Sequence, residues 1–314
     1  MLPQPTFVQF TDNACDLSPE VCAEYDVHRI MIQFRIEDPK DPSRNLIEDP
    51  DDVDEFYSKL SDDNLPKTAA ANSAQFIEKF TPFLDAGLDI LYFGLMKGLS
   101  ATIDAAQMAA KELSEKYPER RIVCLDSRCV SGGLGYLVMK VAKMRLAGTS
   151  LDEIIDYIEN NKMSIIHDFT IDKLNFLRAG GRISRASQFF GELLGICPVM
   201  HVDYTTGDDK DWDRDEMKDR LVLRTKVRGK RLALKAMADR IFENIKRDDE
   251  GNPIGFILVA YGDCHEKAEE FIKLLQAPER FDNRIEIMVT RIAGVIGSHV
   301  GGTVLHPSYE GYER

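Results

Sequence analysis

Short apolar runs alternate with segments of helical periodicity through the first half of the chain. The apolar runs, which we predict to be strands, are 6–10, 27–36, 89–95 and 121–126. The segments with helical spacing are 18–25, 53–60, 73–84, 102–117, 133–146 and 151–160. Strands that alternate with helices favour a parallel sheet covered by helices on both faces. We therefore predict an N-terminal α/β domain over residues 1–162, with a Rossmann-like parallel sheet flanked by helices.

The pattern is less regular in the second half. Apolar runs typical of strands are 164–170, 198–204, 220–227, 255–262 and 284–292. Helical segments are 171–179, 184–194, 229–246 and 264–276. This mixture predicts a C-terminal α+β domain over residues 163–314, with a mixed or antiparallel sheet. The segment 208–220 is almost wholly charged, and we expect a solvated loop or an exposed helix there.

The composition is that of a folded protein with an acidic surface. The 314 residues suffice for two domains, and 44% of them are hydrophobic. The formal net charge of −13 disfavours a nucleic acid partner, because phosphate binding needs a basic face. Apolar stretches such as 255–262 are too short to span a bilayer, and the start "MLPQPTFVQF" lacks the pattern of a secretory signal. We expect a cytoplasmic protein without an integral membrane segment.

The cysteines and histidines indicate neither a metal site nor a disulfide framework. The six cysteines include no CxxC pair, and the six histidines include no HExxH motif. The adjacent pair Cys264 and His265 lies at a predicted helix start. We therefore predict no metal and no cofactor, and we expect buried thiols.

Small polar residues are concentrated in loops on one side of the predicted parallel sheet. The loops are 10–16, 66–72, 94–102 and 126–135. In open α/β sheets, ligands bind beyond the carboxyl ends of the strands. The hydroxyl groups in these loops favour an anion site, but each is also compatible with simple helix capping. These hydroxyl groups are those of Thr68, Ser100, Thr102, Ser127 and Ser131.

The same loops lack the motifs of several enzyme classes. They contain neither GxxxxGK[ST] nor GxGxxG, which disfavours a P-loop or a dinucleotide site. The chain also lacks a GxSxG elbow, and no motif pairs a serine with an activating histidine. Asp12, Asp16 and Asp126 follow predicted strands and are compatible with a magnesium site or with helix caps. We predict no catalytic residues.

Two glycine-rich stretches of the second half carry a charged or titratable side chain. In "LRAGGRIS", Gly180 and Gly181 fit a helix C-terminus, and Arg182 follows them, suited either to a bound carboxylate or to a surface acid. In "AGVIGSHVGG", His299 stands among four glycines after an apolar run. Its imidazole either faces a ligand or forms a local hydrogen bond in a strand-to-helix turn. A cleft between the domains would bring Arg182 and His299 to the hydroxyl loops.

The ordered set of these motifs resembles the DegV family of fatty-acid-binding, FakB-like proteins. The matching stretches are "TDNACDL", "PKT", "GLSAT", "DSRCVSGGLG", "LRAGGRIS", "KVRGKRLALKA" and "GVIGSHVGG". The resemblance covers essentially the whole chain, and as a set the motifs are specific. It implies a carrier, not a catalyst, which holds a long-chain fatty acid such as palmitate. In such proteins the tail lies in an apolar tunnel of the second domain, the carboxylate lies at the domain junction, and a separate fatty acid kinase receives the bound acid.

The resemblance also implies which residues contact the carboxylate. The matching positions are Thr68, Lys97, Arg182 and His299, with Ser100, Ser127 and Gly181 as supporting residues.

The sequence departs from the family pattern where hydroxyl groups are usual. Ala69 and Met96 stand at such positions, and Lys97 replaces a serine. A buried carboxylate needs donors, so we expect the Lys97 ammonium to substitute for the missing hydroxyl groups. Two other hypotheses remain: an enzyme acting on a small anionic substrate in the interdomain cleft, and an interaction module with a vestigial pocket.

Overall fold

The computed structural model describes residues 6–46, 52–182, 196–202, 221–277 and 285–313. The strands are β1 Phe7–Asp12, β2 Val27–Ile30, β3 Gln33–Arg35, β4 Lys67–Ala69, β5 Asp89–Gly94, β6 Ile122–Asp126, β7 Ile165–His167, β8 Phe169–Thr170, β9 Ile196–Val202, β10 Leu221–Arg228, β11 Phe256–Tyr261, β12 Glu286–Arg291 and β13 Leu305–Glu310. The α-helices are α1 Pro19–Glu24, α2 Val53–Lys59, α3 Ser73–Asp85, α4 Thr102–Lys116, α5 Gly132–Leu146, α6 Leu151–Asn161, α7 Asn175–Ala179, α8 Lys230–Asn244, α9 His265–Leu275 and α10 Gly294–Val300. The predicted helix at 184–194 and the charged segment 208–220 lie outside the described residues.

The first half of the chain forms a four-stranded parallel sheet in the order β2-β1-β5-β6. Helix α3 begins with a capping box in which Asn72 and Gln75 satisfy each other's backbone N–H groups. It then buries Phe76, Phe80 and Leu84, which recur at helical spacing on one face. The predicted Rossmann-like parallel sheet with flanking helices is confirmed.

The predicted strand at 27–36 divides into two strands that belong to different sheets. Strand β2 pairs with β1, whereas β3 pairs antiparallel with β4, so that Phe34 lies opposite Thr68. The chain changes direction at Met31 and Ile32, and the Ile32 amide donates to the buried side chain of Asn13. A single continuous strand was therefore a wrong prediction, and β4 was missed. The β3–β4 pair fixes the position of Thr68.

The second half forms a seven-stranded sheet in the order β10-β9-β8-β13-β11-β12, with β7 also paired to β13. Strands β11 and β12 are parallel, and the other pairs are antiparallel. The predicted mixed sheet is confirmed.

Strand β13 lies between β11 and the β7–β8 segment and is buried along its length. The sequence analysis did not predict a strand at these residues. Pro307 stands in the middle of the strand, and a proline within a run argues against a central strand because it lacks an N–H group. Extending the register that joins Leu305 to Thr170 and Ser308 to His167 places Pro307 opposite Asp168. The β7–β8 segment is interrupted at that residue. The missing N–H group therefore faces a break in the ladder.

Asp168, the residue at this break, forms ion pairs with two arginines. Its carboxylate oxygens lie 2.8 Å from the Nε atom of Arg224 and 2.8 Å from the Nε atom of Arg240. The register of β10 shifts between Leu223 and Thr225, so Arg224 occupies a β-bulge that directs its guanidinium to Asp168. The three charges tie β10 and α8 to the centre of the sheet.

Both sheets contribute to the same hydrophobic cores. Helix α5 packs Leu134 and Leu137 among Leu91 of the parallel sheet and Leu258 of the larger sheet. A second core joins residues of the two sheets in the same way, with Phe10 and Met200 as members. Buried apolar contacts thus cross the predicted domain boundary near residue 162. The division into two domains at that residue remains a prediction. Within the described residues, no helix is both long and apolar enough to cross a membrane.

Candidate ligand-binding site

A cavity of about 250 Å³ lies between the two halves of the chain. Strands and loops of the parallel-sheet half form one wall, and α7, α10 and the larger sheet form the other. The lining is mostly apolar, with six polar side chains. The lining residues are Ile32, Thr68, Ala70, Leu95, Leu99, Ser100, Ala101, Val130, Ser131, Phe169, Leu177, Arg182, Leu221, Ile292, Val295, Ile296, His299, Val300, Val304 and His306. Both halves thus share the cavity, which is not confined to the second half.

Thr68 and His299 form a hydrogen-bonded pair on the wall of this cavity. The Thr68 Oγ1 atom lies 2.9 Å from the His299 Nε2 atom. Strand β4 supplies the threonine, and the last turn of α10 supplies the histidine. Burial, assisted by the positive charge of Arg182, lowers the pKa of His299 to about 4. The imidazole is therefore neutral at physiological pH.

The surroundings of His299 favour one tautomer. Its Nδ1 atom is buried and has no hydrogen-bond partner among the described residues. That atom lies against Gly180, where an added Cβ would overlap it. A proton on Nδ1 would be a buried donor without an acceptor, which costs more free energy than a nitrogen lone pair that faces the Cα atom of Gly180. The proton therefore belongs on Nε2, which donates to Thr68. The hydroxyl hydrogen of Thr68 is then available to a ligand.

Arg182 carries the one positive charge among the described residues that line the cavity. It follows Gly181, whose φ of +67° is the left-handed conformation expected after a helix. The Arg182 Nη1 atom donates to the carbonyl oxygen of Gly180, the C-cap of α7. Burial lowers the pKa of the guanidinium, which nevertheless remains charged at neutral pH because its usual pKa is far higher. The structure therefore places Thr68, Arg182 and His299 on the wall of one cavity, and their contact with a carboxylate stays a prediction.

Lys97 is not among the residues that line the cavity. Its Nζ atom lies 2.8 Å from a carboxylate oxygen of Asp104, and its backbone N–H donates to Asp126. The first turn of α4, which carries Asp104, therefore holds this ammonium. No sequence motif indicated that Asp104 would pair with Lys97, and a carboxylate contact for Lys97 remains only a prediction.

The three supporting residues occupy different positions. Ser100 lines the cavity, and its hydroxyl oxygen lies 2.8 Å from that of Thr102 and accepts from the Thr102 amide at the start of α4. Ser127 lies outside the lining and donates to the carbonyl oxygen of Gly94. Gly181 does not line the cavity, but it sets the direction of the chain before Arg182. Ser127 and Gly181 thus act on backbone geometry in this structure.

The three aspartates considered for magnesium accept hydrogen bonds from the protein itself. Asp12 accepts from Tyr92 and from the amides of Leu95 and Ala14, and burial raises its pKa to about 6. Asp16 accepts from Ser131, and Asp126 accepts from Arg128. Asp12 thus caps the short helix 13–15, as the capping alternative expected, whereas Asp16 and Asp126 hold loops together.

A separate cluster of possible metal ligands consists of Asp54, Asp263 and His265, which are exposed. Arg291 lies among them, with Nη1 2.8 Å from an Asp54 oxygen and 3.0 Å from the His265 Nε2 atom. A guanidinium therefore already compensates this acidic group.

His306 is the site residue that the sequence analysis missed. It lines the cavity from β13, a strand that was not predicted, and it is 3% exposed. Leu221 and Phe169 are further lining residues that apolar patterns alone did not distinguish from core residues. No motif contains these three, and only the pairing of β8, β10 and β13 within the sheet brings them to the cavity.

The chain is similar to known proteins over nearly its whole length. A family model described as "Uncharacterised protein, DegV family" matches residues 8–306. A DegV domain-containing protein of Clostridium perfringens is 32% identical over 301 residues, which cover 94% of each chain.

Two solved structures have the same fold. A fatty-acid-binding DegV family protein from Streptococcus agalactiae aligns with a TM-score of 0.72 and 24% identity, covering 96% of this chain and 97% of that one. A stearic-acid-binding protein from Eubacterium ventriosum aligns with a TM-score of 0.76 and 22% identity, covering 96% and 97%. The fold, the length and the family match agree: this chain belongs to the DegV family.

Proposed function

We propose that this protein binds a long-chain fatty acid in the cavity between its halves. The observation that carries the proposal is an apolar cavity whose described lining holds one cation, Arg182, next to the hydrogen-bonded pair Thr68 and His299. An elongated apolar molecule with one negative charge complements such a lining. The related proteins from S. agalactiae and E. ventriosum, described as binding a fatty acid and stearic acid, support the same ligand class.

The charges of the site fit one carboxylate. His299 is neutral because its pKa is depressed to about 4, so Arg182 provides one positive charge for one negative charge. The Arg182 guanidinium provides a planar fork for the carboxylate, and the Thr68 hydroxyl provides a further donor. A buried ion pair of this kind is tolerated when hydrogen bonds satisfy its remaining atoms.

The acyl tail supplies most of the affinity in this proposal. Burial of a methylene contributes about 0.8 kcal/mol, so a tail of about 15 carbons contributes on the order of 12 kcal/mol before the entropy cost of binding. Each charge-assisted hydrogen bond contributes only about 1.5–3 kcal/mol. The head-group residues therefore orient the acid more than they retain it.

The proposal includes the role of a carrier that presents the acid to a separate fatty acid kinase. An interdomain cavity keeps the tail from water while Arg182 and Thr68 hold the reactive carboxylate. The proposed location is the cytoplasm, which agrees with six cysteines that are all free thiols.

The alternative of an enzyme rests on the Thr68–His299 pair, because a hydroxyl 2.9 Å from an imidazole is the arrangement of a nucleophile and its base. Two features oppose it. The pKa of about 4 makes His299 a weak base, and no described residue orients its Nδ1 atom. Hydrolysis of p-nitrophenyl esters by the wild type and by Thr68→Ala tests this alternative, and we expect equal background rates. A rate that depends on Thr68 would favour the enzyme.

The Arg182→Ala variant tests the fatty acid proposal. Native mass spectrometry of the purified wild type should detect one bound C14 to C18 acid. We expect Arg182→Ala to weaken the affinity for hexadecanoate by about 10- to 100-fold, because it removes a charge-assisted contact in a buried site. Arg178→Ala is the matched control, since Arg178 is an exposed arginine of α7. Wild-type protein without affinity for any long-chain acid would refute the proposal, and unchanged affinity in Arg182→Ala would remove Arg182 from the site.

A further inference from the structure

Two polar side chains of the cavity wall, Ser131 and His306, belong to other elements than the Thr68–His299–Arg182 group. Ser131 is the N-cap of α5, and His306 is in β13. The two elements are in contact next to these residues, because a Cβ built on Gly132 would lie 3.4 Å from the His306 carbonyl oxygen. We name Ser131 and His306 the second polar group of the cavity.

The hydroxyl hydrogen of Ser131 is already committed. Its Oγ atom donates to an oxygen of Asp16 at 2.6 Å, and the other oxygen of Asp16 accepts from the Ala293 amide at 2.9 Å. The buried carboxylate of Asp16 therefore fixes the direction of the Ser131 hydroxyl. Toward the cavity, Ser131 can offer only a lone pair, so a ligand atom that binds there must be a donor.

The imidazole of His306 is neutral, and only one of its two nitrogens bonds a described residue. Burial lowers its pKa to about 3. Its Nε2 atom lies 3.2 Å from the Ser308 hydroxyl oxygen. The Nδ1 atom makes no hydrogen bond to a described residue, and the His306 side chain is part of the cavity lining. Ser308 is fully buried, and its hydroxyl has no other partner among the described residues, so it donates to Nε2. The Nδ1 atom then carries the proton and offers it to a ligand.

These two residues together match a hydroxyl group. A hydroxyl donates to the Ser131 oxygen and accepts from the His306 Nδ1–H group. A ketone or a second carboxylate can only accept, so it would leave the Ser131 oxygen unpaired. A methylene neither donates nor accepts, so it would leave both protein atoms unpaired. A site that hydrogen-bonds a ligand hydroxyl discriminates against the ligand without it.

We infer that the ligand of this cavity is a long-chain fatty acid with a hydroxyl group on its chain, held by Ser131 and His306. This inference rests on the proposed function, since it assumes that the carboxylate lies at Arg182 and the chain passes the second polar group.

The test compares hexadecanoic acid with a series of monohydroxyhexadecanoic acids that differ in the position of the hydroxyl group along the chain. The delipidated full chain is titrated with each acid by isothermal calorimetry. We expect one range of hydroxyl positions to bind about tenfold more tightly than hexadecanoic acid, as one satisfied hydrogen bond predicts. The acids that copurify with the protein, identified after solvent extraction, should include the hydroxylated class.

The His306→Leu variant should remove this preference and bind hexadecanoic acid at least as tightly as the wild type does. His265→Leu is the matched control, because His265 is exposed and bonds Tyr261 and Arg291 away from the cavity. Equal affinity of the wild type for plain and hydroxylated acids would overturn this inference alone, with water then satisfying the second polar group. Absence of binding by every acid would instead refute the proposed function. The wild-type ranking decides the question even if His306→Leu fails to fold.

Discussion

The two cavity histidines are neutral for the same physical reason. Burial removes His299 and His306 from water, and a charged imidazole would lose its hydration without an acid to replace it. The resulting neutral rings act as oriented hydrogen-bonding groups. His299 directs the hydroxyl of Thr68, and His306 presents a nitrogen to the apolar part of the cavity.

The depressed pKa of His306 predicts a loss of stability in acid. In the unfolded chain the ring takes up a proton below about pH 6.5, whereas the folded ring resists it until about pH 3. The unfolded state therefore binds more protons in this window, and the free energy of unfolding falls as the pH decreases. We expect the free energy of unfolding of the wild type, relative to that of His306→Leu, to fall by about 1.4 kcal/mol per pH unit between pH 6.5 and pH 4. The total loss is a few kcal/mol. Urea titrations across this range measure it, and parallel pH curves for the two proteins would contradict it.

Helix α5 reaches both sheets because glycines begin it. Gly132 packs against Ala260 and Ser308, and Gly133 packs against the ring of His167. The Nε2 atom of that ring accepts from the Val130 amide at 3.3 Å, at the edge of the cavity. Side chains at these glycines would separate α5 from the larger sheet.

Gly133→Ala should destabilise the protein by about 3 kcal/mol or more, because the new methyl group would overlap the His167 ring in a buried site. Gly148→Ala is the control. Gly148 has a φ of +89° with open space around it, so the cost there is only about 1 kcal/mol of backbone strain. Chemical denaturation measures both variants, and equal stabilities would show that α5 packs otherwise.

The two halves of the chain share their interior. Leu91 and Phe93 of the parallel sheet lie in one core with Leu258 of the larger sheet, and the cavity lined by Thr68 and His299 lies between the same two halves. The Tyr136 ring of α5 stacks on Phe256 of β11 with a centroid distance of 4.3 Å. Separation of the halves would expose this apolar surface, so the halves stabilise each other.

We therefore expect one cooperative thermal transition in calorimetry, and a higher melting temperature with bound acid. Free fatty acid at about 100 times its Kd adds about 2.7 kcal/mol, which corresponds to a rise of about 5 °C for a chain of this size. Arg182→Ala should show a smaller rise at the same ligand concentration. Two separate transitions, with only one shifted by the acid, would contradict the shared interior.

The sequence by itself determined the α/β alternation of the first half, the mixed sheet of the second, and three residues that meet at the cavity: Thr68, Arg182 and His299. These features depend on local periodicity and on motifs, which a linear pattern records. The resemblance to the DegV family then linked those residues to a carboxylate.

The tertiary structure alone decided the rest. Strand β13 carries Pro307, and its local preference opposes a central strand until the break at Asp168 accommodates the missing N–H group. With β13 in place, His306 enters the cavity, which no motif indicated. Likewise, Lys97 pairs with Asp104 because α4 starts beside it. Strand pairing and charge pairing are contacts between distant segments, and their energies appear only when the chain is packed.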